Sequence, residues 1–409
     1  MKYINTFLNL SAFTEAKPNL PIYSLSLIEN TNQVYYIEKP LIKVTLNMSE
    51  EYSNKELPLG GFEYNREGSA VDEIINSINQ VVFPKELCED VIIDGVSVGP
   101  INTYTFTAGK HTVEYAMKDE TKVVDTQFFG FDILGIEGVE IPDSVTSIGD
   151  SAFTYCTGLT SITIPDSVTS IGSGAFVYCS GLTSITIPDS VTSIGDSAFK
   201  KCTGLTAFKL PIDITSIGSG AFEDCSGLKT VDLTSYSKLT SIENNTFSGC
   251  TGLTAFKLPI DITSIGFEAF VGCTGLKTVD LTSYSKLTSI ENNTFTGCTG
   301  LTTVKLPNKL TSIEDHTFLN CPSLTSITIP DSVTSIGYGA FVYCSGLTSI
   351  TIPERITLIG PYAFYDCPNL TEVTYKGKIY TSKRELLNDL RSNNVETGSY
   401  AFEHTGLGD

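Results

Sequence analysis

Gly158-Leu-Thr-Ser-Ile-Thr-Ile-Pro-Asp-Ser-Val-Thr-Ser-Ile-Gly-Ser-Gly-Ala-Phe-Val-Tyr-Cys179 decides the fold, because the chain repeats it. Cys156, Cys179, Cys202, Cys225, Cys250, Cys273, Cys298, Cys321, Cys344 and Cys367 mark the successive copies. Seven of the nine intervals between them are 23 residues, and the intervals from 225 to 250 and from 273 to 298 are 25. A fixed period of about 20 to 50 residues is the signature of a stacked array, in which each unit buries its apolar face on the next.

Spacing within the unit assigns the parts. Ser161-Ile-Thr-Ile164 alternates, so its apolar residues share one face of a short strand. Pro165 ends the ladder for want of an N–H, and Asp166-Ser167 suits a turn. Gly172 permits a second corner, and Ala175-Phe176 seats a ring under the next coil. The apolar set is Leu159, Ile162, Ile164, Val168, Ile171, Ala175, Phe176 and Cys179. One unit buries too little to fold alone, so the array stands or falls as a block.

The pattern L-x-x-I-x-I-P-x-x-V-x-x-I-G-x-x-A-F-x-x-C resembles the BspA-like class of leucine-rich repeat over ten units, from Val139 to Tyr375. The resemblance implies a right-handed, curved solenoid with a parallel sheet on its concave side. It also implies a surface adhesion or protein-binding module without enzymatic activity. Residues 203–250 and 251–298 are near-copies, differing at six places, five of them around Ala-Phe-x-x-Cys. The two 25-residue units carry Leu233-Thr-Ser-Tyr-Ser-Lys-Leu239 and its copy Leu281–Leu287 in place of Pro-Asp-Ser.

Four divisions are expected. Residues 1–48 read as an extended attachment segment, alternating at Ile22–Leu27 and Gln33–Ile37. Ser26-Leu-Ile-Glu-Asn-Thr-Asn-Gln-Val-Tyr-Tyr-Ile37 resembles the N-terminal strand-turn-strand of fibre-type appendage proteins from phages of gut Bacteroidales. Residues 49–135 read as a small β-sandwich, with a helix expected at Ser69–Ile78. The strands Val91–Ile93, Tyr104–Thr107 and His111–Tyr115, with turns at Asp94-Gly95 and Ala108-Gly109, resemble an immunoglobulin-like module. Residues 136–375 form the array. Residues 376–409 read as a cap, with a helix at Ser382–Arg391 and an echo of the repeat at Ser399-Tyr-Ala-Phe402.

The chain has 409 residues, 41% of them apolar, with 26 Lys and Arg against 46 Asp and Glu. The net charge of −20 excludes a general nucleic-acid or anionic-membrane binder. No apolar run approaches the roughly 20 residues of a bilayer-spanning helix. The start, Met1-Lys-Tyr-Ile-Asn-Thr-Phe-Leu-Asn-Leu10, makes a poor secretory signal.

Metal sites need clustered ligands, and the periodic cysteines come one per coil with no C-x-x-C pair. They read as a buried thiol column of small apolar fillers, with inter-coil disulfides in an oxidising compartment as the alternative. No cofactor or metal is expected. Gly95-Val-Ser97-Val-Gly99 matches the G-x-S-x-G of hydrolase elbows, which needs strand, strained turn and helix, with an acid and a His beside the Ser. Here a hairpin and Pro100 surround it, and His111, His316 and His404 are isolated, so the match reads as accidental. A serine hydrolase using Ser97 is the remote alternative.

On the outward strand positions, Lys209, Asp232, Lys257, Asp280 and Lys305 alternate in sign. Parallel strands about 4.8 Å apart would make them one charge ladder, read chiefly as structure. Tyr is an interface anchor type, and Tyr155, Tyr178, Tyr338, Tyr343, Tyr362 and Tyr365 lie around Ala-Phe-x-x-Cys in the first and last units. They are either two binding patches on one edge or drift in exposed turns.

The expectation is a non-enzymatic binding protein, a phage virion appendage held to a larger particle through residues 1–135. Its array would meet a cell-surface protein or glycan. A bacterial surface adhesin and an intracellular interaction scaffold are the alternatives, and a homo-oligomer is left open.

Overall fold

A computed structural model describes residues 23–27, 34–38, 41–48, 56–58, 61–62, 81–82, 88–98, 103–105, 108–117, 123–124 and 136–409. It describes side chains at 45, 91–98, 108–115 and 136–409. The array is a parallel β-solenoid in which each coil contributes a three-residue strand and, about nine residues on, a two-residue strand. Ser184–Thr186 followed by Ser193–Ile194 is one instance.

The interior explains why the period is kept. Eleven phenylalanine rings, from Phe153 through Phe364 to Phe402, stack in one file with centroids 5.1–5.7 Å apart. All are buried. Beside them run the thiols. From Cys179 to Cys367, each Sγ–H donates to the carbonyl of the Phe in the coil before, at 3.1–3.3 Å. Cysteine thus supplies an apolar body and a second, weak donor to carbonyls that, as at Phe153 and Phe176, also accept the N–H of the Cys in their own coil. Exposed threonines tie coils in the same way. Thr263 and Thr357 hydroxyls donate to the carbonyls of Thr240 and Thr334 one coil back, at 2.9 and 3.0 Å.

At some coils a side chain adds a further tie to the next. Asp150, Asp196, Asn244 and Asp315 each accept, through Oδ1, the N–H of Ser173, Ser219, Phe267 and Tyr338 in the next coil, at 2.7–2.9 Å.

The sheet of three-residue strands is interrupted. Ser184–Thr186 pairs with Ala207–Lys209, Thr230–Asp232 with Ala255–Lys257, and Thr278–Asp280 with Thr303–Lys305 and then Ser326–Thr328. The ladder stops between Ser161–Thr163 and Ser184–Thr186, between Ser326–Thr328 and Ser349–Ile352, and at each step into the strand of a 25-residue unit. Where the ladder continues, Leu233 and Leu281 N–H donate to the carbonyls of Lys257 and Lys305, both at 2.9 Å. At the two breaks beside the 25-residue units Leu210 and Leu258 N–H donate instead to the hydroxyls of Tyr236 and Tyr284, at 3.3 and 3.0 Å. The two extra residues let a tyrosine reach back and take the ladder position.

Both ends of this sheet are covered, as exposed edges must be. Leu41–Met48 runs antiparallel to Ile136–Glu140, with Val44 opposite Val139, and also pairs with Gly109–Met117. One six-stranded sheet therefore runs from Val96–Ser97 through Cys88–Ile93, Gly109–Met117, Leu41–Met48 and Ile136–Glu140 to Ser161–Thr163. At the far end Lys378–Tyr380 returns antiparallel on Glu372–Tyr375. The cap helix, Lys383–Ser392, is N-capped by Ser382 and buries Leu386 and Leu390. Tyr380 is buried against it with its hydroxyl on Asp389, and its pKa is pushed up to about 12 by burial and that carboxylate. The alternating segments near the N-terminus form an antiparallel pair, Tyr23–Leu27 with Val34–Glu38. The helix expected at Ser69–Ile78 lies outside the described residues.

Candidate binding surfaces of the array

Each coil passes twice through left-handed backbone, two residues before the stacked Phe and one residue before the Cys. In the middle of the array these positions hold Asn245, Gly249, Gly272, Asn293 and Gly297, with Glu268 the exception, at φ between 56° and 69°. At the ends five of them hold tyrosine, Tyr155, Tyr178, Tyr343, Tyr362 and Tyr400, with φ between 57° and 63°, beside residues such as Ser151, Gly174, Gly339 and Asp366. A bulky L-residue there costs roughly 1–2 kcal/mol. Folding alone therefore favours glycine or asparagine, and strain of this kind concentrates at functional sites.

The tyrosines form two patches. At the first, Tyr155 and Tyr178 stack at 4.5 Å. Lys201 Nζ lies 4.6 Å from the Tyr178 ring centre and donates to its hydroxyl at 2.6 Å, which with nearby charge raises the Lys201 pKa. At the second, rings run in contact across four coils. His316 meets Tyr338 at 5.0 Å, Tyr338 meets Tyr362 at 5.6 Å, and Tyr362 meets Tyr365 at 5.4 Å and Tyr400 at 5.2 Å. Tyr365 meets His404 at 4.9 Å. Tyr338, Tyr343 and Tyr400 are 43%, 48% and 56% exposed, high for such large rings. Tyr343 joins through its backbone, its N–H donating to the Tyr365 carbonyl at 3.1 Å. Sequence reasoning missed Tyr400, His316 and His404, although the echo at Ser399–Phe402 was the available signal.

The five alternating charges do not make one ladder, which corrects the expectation. Asp232 pairs with Lys257 at 3.3 Å and Asp280 with Lys305 at 3.0 Å, each across an intact strand pair. The tyrosine breaks separate Lys209 from Asp232 and Lys257 from Asp280. Thr234 and Thr282 hydroxyls also donate to these aspartates, at 2.6 Å each. They are the leading cause of the lowered Asp232 pKa and of the Asp280 value of about 2, where Lys305 adds. Three further coil-to-coil pairs went unread: Lys200 with Glu223 at 2.8 Å, and Lys238 with Asp213 and Lys286 with Asp261, both at 2.7 Å.

The ten periodic cysteines are wholly buried thiols. Burial pushes Cys202 through Cys344 well above the usual thiol range and Cys367 to about 12. Such sulfurs neither ligate metals nor attack substrates at neutral pH. Among the described residues no group of three His, Cys, Asp or Glu could hold a metal ion.

Ser97 lies on a hairpin, not on the strand-to-helix turn that an elbow requires. It sits opposite Ile92, which faces Glu114, so His111 is a further strand away and three residues off level. Two strand spacings are about 10 Å, beyond a hydrogen bond. His111 instead meets Asp94 at 2.7 Å.

A parallel solenoid with one stacked Phe per coil and no catalytic grouping among its described residues defines a leucine-rich-repeat scaffold. The family model described as BspA type leucine rich repeat region, in six copies, matches residues 76–206, 121–253, 170–286 and 279–393. The chain belongs to this family. Solved structures similar to it include a leucine-rich repeat protein from Bacteroides ovatus, 26% identical over 74% of this chain and 82% of that one, with a TM-score of 0.49. A leucine rich cell surface protein from Faecalibacterium prausnitzii is 28% identical over 64% and 84%, with a TM-score of 0.39. The pneumococcal vaccine antigen PcpA is 18% identical over 68% and 84%, with a TM-score of 0.47. No curated protein matched. Among the described residues no helix is long and apolar enough to cross a membrane.

Proposed function

We propose that the protein is a surface-displayed, adhesin-like binding module whose tyrosine edge contacts a cell-surface protein or glycan. The observation that carries this is the left-handed tyrosines: they occupy positions where folding favours glycine, and they gather in two exposed patches. Residues 1–135, with an immunoglobulin-like module among them, serve as the spacer and attachment, and their sheet continues into the first coils of the array. A phage-particle role rests on the resemblance of residues 26–37 alone, and recovery of the chain from purified virions is the result that would favour it.

The test is binding of labelled full chain to intact bacterial cells, compared with a Tyr343→Gly, Tyr362→Gly, Tyr400→Gly triple variant. The expected result is a loss of tenfold or more in binding at an unchanged melting temperature. Equal binding by the variant would remove the edge from the reading. Protease or glycosidase treatment of the cells then separates protein from glycan partners.

A further inference from the structure

The cap helix Lys383–Ser392 carries a second surface, unrelated to the tyrosines. Lys383, Arg384, Leu387, Asn388, Arg391 and Asp409 line an open cavity of about 330 Å³ on its outer side. Arg384, Leu387 and Arg391 are spaced i, i+3 and i+7, so they share one helix face. The two guanidinium stems start about 10 Å apart along the axis. Leu387, half-buried, is the apolar floor between them.

Charge makes the cavity exceptional. The chain carries a net charge of −20 and only four arginines, at 66, 355, 384 and 391, so half of them stand on this face. Lys200, Lys238 and Lys257 on the array are tied to acids, and Lys383 itself meets Glu403 at 3.2 Å. Arg384 and Arg391 are exposed and form no ion pair among the described residues. Asp409, whose carbonyl accepts the Ser382 hydroxyl at 2.9 Å, closes the remaining side.

We infer that this cavity docks an acidic peptide segment bearing an apolar side chain between two carboxylates. Arginine forks suit carboxylates in paired hydrogen bonds. In a peptide with polyproline II backbone, which turns once every three residues, acids three residues apart share one face about 9 Å apart, which matches the arginine stems. The order cation, apolar, cation on the helix is met by acid, apolar, acid in the peptide. A polyuronate offers the carboxylates but no branched apolar group to enter beside Leu387.

The inference rests on the chain being a binding protein but not on its tyrosine edge, and the triple tyrosine variant leaves it untouched, so the two can fail separately. The probe is a fluorescein-labelled peptide containing Asp-Leu-Ser-Asp, titrated into the full chain and followed by anisotropy. Saturable binding is expected, weakened at least tenfold by Arg384→Glu with Arg391→Glu and by replacing the peptide's Leu with Ser. Circular-dichroism melting should not change, and Arg391→Gln alone serves if the double reversal disturbs the helix. The proposal is overturned by absent binding, by equal binding to the charge-reversed protein, or by equal binding of the Ser peptide. Competition by trigalacturonate as effective as the peptide's own would overturn it too, and would assign the cavity to an acidic glycan.

Discussion

The middle of the array and its two ends are built on the same coil and differ in what they show to solvent. In coils 245–298 five of the six left-handed positions hold glycine or asparagine, the sixth being Glu268, while at the ends tyrosine holds 155, 178, 343, 362 and 400. The middle instead carries the 25-residue units, whose Tyr236 and Tyr284 turn inward to hydrogen-bond backbone. The interior does not register this difference, since phenylalanine and cysteine keep file through both regions. Core and edge are thus separable: one sets stability, and the other is open to vary.

The thiol column is common to both regions, so it gives the largest expected effect and one that should be global. Eight thiols, Cys202 to Cys367, are held protonated by burial. In the unfolded chain they ionise near 8.5. Their folded pKa values are raised, so their stabilisation is complete below about 8.5 and is lost as pH rises towards the folded values. Each loses at most about 1.4 kcal/mol per pH unit, and eight together lose on the order of 10 kcal/mol. Urea unfolding under reducing conditions should show a steep fall in midpoint from pH 8 to 10, and a flat profile would deny that the column is buried.

Phenylalanine tests whether the middle is held more firmly than an end. Phe270 stacks on a ring at each side, Phe247 and Phe295, both at 5.6 Å, whereas among the described residues Phe402 stacks only on Phe364, at 5.1 Å. Phe270→Ala should cost about 3–5 kcal/mol. Phe402→Ala should cost less and show as fraying of the cap in hydrogen exchange, because terminal coils have one neighbour. Equal global losses would mean that the cap is coupled as tightly as the centre.

A reciprocal exchange tests the edge itself. A Cβ at Gly272 would meet nothing closer than 3.9 Å, so Gly272→Ala meets only the cost of its φ of 68°. It should destabilise by about 1–2 kcal/mol. Tyr343→Gly, at φ 61°, should leave stability within about 1 kcal/mol of the starting protein. Thermal melts decide it: a large loss in Tyr343→Gly would make that tyrosine a folding residue and dissolve the contrast between ends and middle.

The solenoid, its period and its buried file were legible because Phe and Cys do the same work in every coil, so ten repetitions carry the signal. The breaks in the sheet were not legible. That Leu210 N–H meets Tyr236 and not a strand carbonyl depends on how far two extra residues let a ring swing back. The six-ring patch was read only in part, because the helix at 383–392 interrupts the period before Tyr400 and His404 rejoin it. The pairing of Leu41–Met48 with Ile136–Glu140 joins segments about 90 residues apart, beyond any local pattern. The edge tyrosines were visible as residues, but the left-handed backbone that gives them meaning was not.

The charges give the smallest effect and the sharpest check on the sheet breaks. Asp280 and Lys305 are about half exposed, so their coupling in a double-mutant cycle should lie below about 1 kcal/mol. With the folded pKa of Asp280 near 2, its stabilisation is complete above about 3.9 and fades as pH falls towards 2. Asp280→Asn should therefore flatten the acid limb slightly. The telling comparison is Asp232, which has Lys257 at 3.3 Å on its paired strand and Lys209 across a break. A cycle of Asp232→Asn with Lys257→Met should show a small favourable coupling, and one with Lys209→Met should show none. Equal couplings would mean that the ladder runs unbroken through the step where Tyr236 interrupts it.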